Sequence, residues 1–72
     1  MRALNPRQVE AFRAVVLTGG VGAAATLINV SQPAVSRLIR DLQAQLGLVL
    51  FERRGTGLVP TSEALSLYAE VE

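Results

Sequence analysis

The apolar residues between Ser31 and Gly47 recur at helical spacing. Val35, Leu38, Ile39, Leu42 and Leu46 share one face at about 100° per residue, while Pro33, Ser36, Arg37 and Arg40 share the opposite one and Gln32 sits at its edge in the first turn. Ser31 supplies a capping hydroxyl, Pro33 is tolerated in the first turn, and Gly47 stops the run. This spacing predicts a helix over about 31–46 with one stripe that must be buried. In a chain of 72 residues there is room for one small domain. Nearly every apolar residue is then needed to cover that stripe.

The remaining elements follow from similar signals. Asn5 is an N-cap, Pro6 fits the first helical position and Gln8 completes a capping-box spacing. Val9, Phe12, Val15 and Val16 then give a helix over about 6–18, ended by Gly19-Gly20. The alanine-rich stretch 21–29 predicts a short second helix. After Gly47 the pattern turns β-compatible. Val49 to Arg53 reads as a strand, Arg54-Gly55-Thr56-Gly57 as a turn, and Leu58-Val59-Pro60 as the returning strand. Thr61 or Ser62 caps a last helix that reaches Glu72 without a C-cap signal. Its stripe is Ala64, Leu65, Tyr68 and Val71, with Leu67 on a neighbouring face. That stripe either packs on the domain core or meets a second copy of the chain. The expected class is mainly α, with three helices, a two-stranded hairpin and a further helix.

Composition narrows the function. Half of the residues are apolar, which excludes intrinsic disorder, yet no apolar run approaches a membrane span. Met1 to Pro6 lacks the apolar stretch of a secretory signal. Cysteine, histidine and lysine are absent, which removes thiolate metal sites and the commonest catalytic bases and nucleophiles. No other pair of residues is positioned for catalysis. The chain is therefore read as cytoplasmic, non-enzymatic, and without metal or cofactor. The net charge of +1 hides an uneven distribution. Arg2, Arg7 and Arg13 face Glu10 in the first thirty positions, and Arg37, Arg40, Arg53 and Arg54 face Asp41 and Glu52 in the next thirty. The tail holds only Glu63, Glu70 and Glu72. All seven cations are arginine, the side chain suited to phosphate and guanine, although a codon bias toward arginine accounts for that equally well.

The second and third helices lie close enough in sequence to form a helix-turn-helix, here about 21–40. The outward face of the third is neutral and polar at its start (Ser31, Gln32, Ser36) and cationic further along (Arg37, Arg40). Such a face suits base edges first and phosphates next, with Pro33 and Ala34 available to a thymine methyl. An ordinary solvated helix face is the alternative. Arg53 and Arg54 in the hairpin suit a backbone or minor-groove contact beside such a helix, or are simply solvated. Gly19, Gly20 and Gly22 lack the spacing of a dinucleotide loop; the Gly20 and Gly22 amides can meet a DNA phosphate. A winged-helix module that binds protein is the competing function, and it calls for apolar anchors on the outward face of the third helix.

These residues resemble the N-terminal winged helix-turn-helix of LysR-type transcriptional regulators. The resemblance runs from about Leu4 to Tyr68. It rests on Arg7-Gln8-Val9-Glu10-Ala11-Phe12, Ala24-Ala25, Val30-Ser31-Gln32-Pro33-Ala34-Val35-Ser36-Arg37, Leu46-Gly47, Leu50-Phe51-Glu52-Arg53 and Pro60-Thr61, in that order. It implies a three-helix core, a β wing over about 49–60 and a linker helix starting at 61–72. It also implies a bacterial regulator of promoter DNA. Gln32, Pro33 and Ser36 would then approach base edges, Arg37 and Arg40 bases or backbone, Arg53 and Arg54 would sit on the wing, and Ser31 would be a further DNA-binding residue. Ala64, Leu65, Leu67, Tyr68 and Val71 would serve a homodimer through the linker helix, within a tetramer of the full-length protein. An effector-binding domain usually follows, so the chain is read as a DNA-binding fragment. Its first helix and wing look most like members that respond to amino acids or opines. The chain departs from the pattern at three places. Gly20-Val21-Gly22 replaces a serine-aromatic-threonine run, Leu27 replaces a polar residue, and Leu65 replaces a glycine.

Overall fold

The computed structural model describes residues 4–72; Arg2 and the rest of the N-terminal reading at 1–3 lie outside the described residues. The order is α1 (Pro6–Thr18), α2 (Val21–Ile28), α3 (Gln32–Leu46), β1 (Phe51–Arg54), β2 (Gly57–Pro60) and α4 (Ser62–Val71). The strands form one antiparallel hairpin. Among the described residues no helix is long and apolar enough to cross a membrane.

Caps define the helix ends much as the residue types predict. The Asn5 side chain accepts from the Arg7 amide at 2.8 Å. Ser31 Oγ accepts from Ala34 N at 3.2 Å, and Thr61 Oγ1 from Ala64 N at 3.2 Å. Thr61, and not Ser62, is therefore the cap of α4. Gly19 and Gly47 leave their helices at φ 79° and 67°, the left-handed turn that glycine adopts without a Cβ clash. Helix α2 ends one residue earlier than its composition suggests. Asn29 takes φ 60°, and its amide and that of Val30 return to Thr26 O and Ala25 O. This paired closure satisfies the last carbonyls and turns the chain sharply into α3.

The capping-box expectation at Gln8 is corrected by packing. Its side chain is buried and its Nε2 donates to Gln45 Oε1 at 2.6 Å, tying α1 to the end of α3. The buried face of α1 is rotated accordingly. Gln8, Ala11, Phe12, Ala14 and Val15 are inside, whereas Val9 and Val16 are half-buried. Ala11 and Ala14 on α1 and Ala24 and Ala25 on α2 are all buried, and such small residues let two helices approach closely. From α3, Val35, Ile39 and Leu42 enter the core, with Leu38 and Leu46 packed at its edge. Phe12 is fully buried, its ring tilted against Phe51 at 5.8 Å and Tyr68 at 6.4 Å. One side chain thus joins α1, the hairpin and α4.

The hairpin starts two residues later than its sequence suggests. Val49 and Leu50 are held by the helices. Gln43 Oε1 accepts from Leu50 N at 2.8 Å and from Phe51 N at 3.4 Å. Thr61 donates its hydroxyl to Val49 O at 2.7 Å and its amide to Leu50 O at 2.9 Å. Arg54 joins β1 opposite Gly57, so the loop shrinks to Gly55-Thr56. Gly55 takes φ 62°, as the first loop position of a type II′ turn requires.

The returning strand is fixed to the turn between α1 and α2. Leu58 N donates to Gly19 O at 2.8 Å. A Cβ on Gly57 would lie 2.9 Å from that same oxygen, a backbone atom that cannot rotate aside. Gly57→Ala is expected to cost about 1–3 kcal/mol by overpacking. The Leu58 amide should then exchange with solvent faster than in the parent chain. Unchanged Leu58 protection together with an unchanged melting temperature would show that the hairpin docks some other way.

Candidate nucleic-acid interface

Helix α3 builds the candidate surface. Its apolar stripe is turned into the core, so geometry alone presents the other side. Gln32, Pro33, Arg37 and Arg40 are exposed there, and Ser36 is half-buried. Ser31 is exposed as well, with its oxygen already accepting from Ala34 N as the helix cap. The hydroxyl proton remains available as a donor. Polar groups able to pair with base edges thus lie at the N-terminal end of α3, and two guanidinium groups follow one turn on.

The tertiary structure adds a residue that periodicity did not mark. An open cleft of about 650 Å³ is lined by Asn5, Arg7, Ser31, Pro33, Ala34, Arg37, Leu38 and Arg40. Arg7 belongs to α1, twenty-four positions before the cap of α3 (31 minus 7). Folding places Arg7 on the same cleft as Arg37 and Arg40. Its partner in α1, Glu10, is 3.9 Å away, and an exposed pair at that range binds weakly. Three cations around one cleft attract a polyanion more strongly than one helix face would.

Arg53 and Arg54 are both exposed in β1. Consecutive residues on a strand project to opposite faces, so the two arginines leave the hairpin on different sides. Leu58 bonded to Gly19 O holds the hairpin close to the start of α2. The cap of that helix, Gly20, makes no side-chain hydrogen bond, which leaves the leading amides of α2 without a side-chain acceptor from it.

The residues expected at a dimer contact separate into three groups. Ala64 is fully buried in the domain's own core and cannot touch a second copy. Leu67, Tyr68 and Val71 pack against the same core while staying half-exposed. Leu65 is 54% exposed and is the member of the set that the domain leaves uncovered. Helix α4 is also pinned from its far end, where Arg13 Nε lies 2.8 Å from Glu72 Oε2.

A three-helix core whose second and third helices form a tight corner, followed by a two-stranded hairpin, is a winged helix-turn-helix. The residues match the family described as "Bacterial regulatory helix-turn-helix protein, lysR family" over positions 6–65. The chain belongs to that family. It is 57% identical over 68 residues to regulatory protein NocR of Agrobacterium fabrum, covering 94% of this chain and 23% of that protein. To the octopine catabolism/uptake operon regulatory protein OccR of Rhizobium meliloti it is 58% identical over 69 residues, covering 96% of this chain and 23% of that protein. The chain therefore spans about a quarter of the length of these relatives. Among solved structures, the DNA complex of the CbnR DNA-binding domain superposes with a TM-score of 0.89 at 36% identity, covering 93% of this chain and 77% of that one. The complex of the BenM DNA-binding domain with benA site 1 DNA gives 0.86 at 31% identity, covering 93% of this chain and 75% of that one.

Proposed function

We propose that this domain binds double-stranded DNA sequence-specifically as part of a bacterial LysR-type transcriptional regulator. Helix α3 enters the major groove, with Gln32, Pro33 and Ser36 toward base edges and Ser31 beside them. Arg37, Arg40 and Arg7 hold the flanking phosphates, and Arg53 and Arg54 bring the wing to the backbone or minor groove. The observation that carries this reading is the outward face of α3, polar at its start and cationic beyond, beside a third arginine from α1. The solved DNA complexes of similar domains support DNA as the partner. A protein-binding winged helix is disfavoured by where the large apolar residues are exposed. Leu17, Leu27, Leu48, Val49, Val59 and Leu65 are exposed, and none of them lies on α3.

Dimerisation through α4 fits the exposed Leu65, with Leu67, Tyr68 and Val71 at the edge of the contact and Ala64 inside the domain. A tetramer, a cytoplasmic location and a small effector of the amino-acid or opine class belong to the whole regulator. The effector class is supported by one of the relatives named above, an octopine catabolism/uptake operon regulatory protein. None of these roles calls for catalysis by this domain.

Sequencing of a randomised duplex pool bound by the chain tests the proposal. A defined base preference is expected, with binding that weakens as salt rises. Gln32→Ala and Ser36→Ala should flatten that preference, each lost base contact being worth about 1–3 kcal/mol. Binding that is indifferent to sequence and to salt would refute it.

A further inference from the structure

Gly22 is the second residue of α2, a position where helix propensity alone favours alanine. A Cβ placed on it would lie 3.3 Å from Gln32 Nε2, 3.6 Å from its Cδ and 3.9 Å from its Oε1. Outside the helix's own turn, the three nearest atoms are therefore all in one amide group. Gly19 and Gly20 differ, because a Cβ on either would meet nothing within 4 Å. A side chain at position 22 would thus press on the Gln32 amide, which would have to give by a few tenths of an ångström.

We propose that Gly22 determines sequence specificity through Gln32. The space it leaves open fixes the direction from which the Gln32 amide approaches a base pair. The inference rests on the base-reading role given to Gln32 above. A carboxamide reads an adenine edge with its donor and acceptor together, and both bonds tolerate only a few tenths of an ångström before they weaken. A methyl group at position 22 moves the amide by about that amount. It does so without harming α2, since alanine is the better helix former. Gly22 is in this sense a positioning residue, its missing side chain acting on DNA through its neighbour.

The test uses the full 72-residue chain as wild type, Gly22→Ala, Gln32→Ala and the double variant. Each is bound to a duplex pool randomised over about 20 base pairs, two helical turns, and the bound DNA is sequenced. At the base pairs whose preference Gln32→Ala flattens, Gly22→Ala is expected to change the preference by about threefold or more. On the Gln32→Ala background Gly22→Ala should add no further change. Thermal melting of Gly22→Ala should match or exceed that of the parent. Unchanged preferences in Gly22→Ala, or an equal change on both backgrounds, would overturn the coupling and leave the DNA-binding reading intact. Unchanged preferences in Gln32→Ala would overturn the reading of Gln32 and this inference with it.

Discussion

Phe12→Ala is expected to remove a large part of the domain's stability. Phe12 is fully buried and touches rings from two other elements, Phe51 in the hairpin and Tyr68 in α4. Truncating a buried phenylalanine costs about 3–5 kcal/mol, because its transfer energy is lost and the cavity closes only in part. A domain of this size has roughly 4–11 kcal/mol in total. At about 4–8 °C per kcal/mol for so short a chain, the melting temperature should fall by at least about 12 °C. Leu17→Ala is the matched control: that side chain is 63% exposed, and its loss should stay within about 0.5 kcal/mol. Circular dichroism melts of the two variants decide the matter. Similar small shifts in both would mean that Phe12 is not the central packing residue.

Replacing Arg37, Arg40, Arg53 and Arg54 together by alanine is expected to remove most of the affinity for DNA. Each phosphate neutralised by a cation contributes about 0.9 to the slope of log affinity against log salt. Four contacts then supply about 3.6 units of slope. At about 0.15 M salt, that corresponds to roughly a thousandfold in affinity. The loss should be similar on preferred and random duplexes, because phosphate contacts carry little sequence information. Anisotropy titrations at several salt concentrations measure both quantities. A parallel salt dependence in parent and variant would show that these guanidinium groups do not meet phosphate. Arg7 offers a useful graded comparison, since it shares the cleft with Arg37 and Arg40 but comes from α1.

Much of this architecture is legible along the chain, for local reasons. The caps at Asn5, Ser31 and Thr61 bond amides two or three residues away, so their signal lies within one turn. The split of α3 into an apolar and a polar face is likewise a property of neighbouring turns. The misread boundaries have the opposite character. Val49 and Leu50 have strand-like composition, yet Gln43 and Thr61 take their backbone groups and delay the strand to Phe51. Gln8 has the right spacing for a capping box, yet its side chain goes to Gln45, thirty-seven positions away. In each case a distant side chain competed for a polar group and won.

The candidate site divides along the same line. Which residues of α3 face outward is settled by periodicity, and Gln32, Pro33, Ser36, Arg37 and Arg40 could be named from it. Arg7 could not, because no repeat links a residue of α1 to a cleft edge on α3. The nearness of Gln32 to Gly22 was equally hidden, since a missing Cβ leaves no pattern. The α4 stripe leaves open whether Ala64 packs on the core or meets a second copy, and the docking of the helix puts it inside. By itself the sequence determined the order of the elements, their caps and the outward face of α3, all set by interactions within a turn or two. Only the tertiary structure decided which residues gather beside that face and which apolar positions stay exposed. Those outcomes depend on how the helices approach one another, and that is fixed by close packing between elements far apart in the chain.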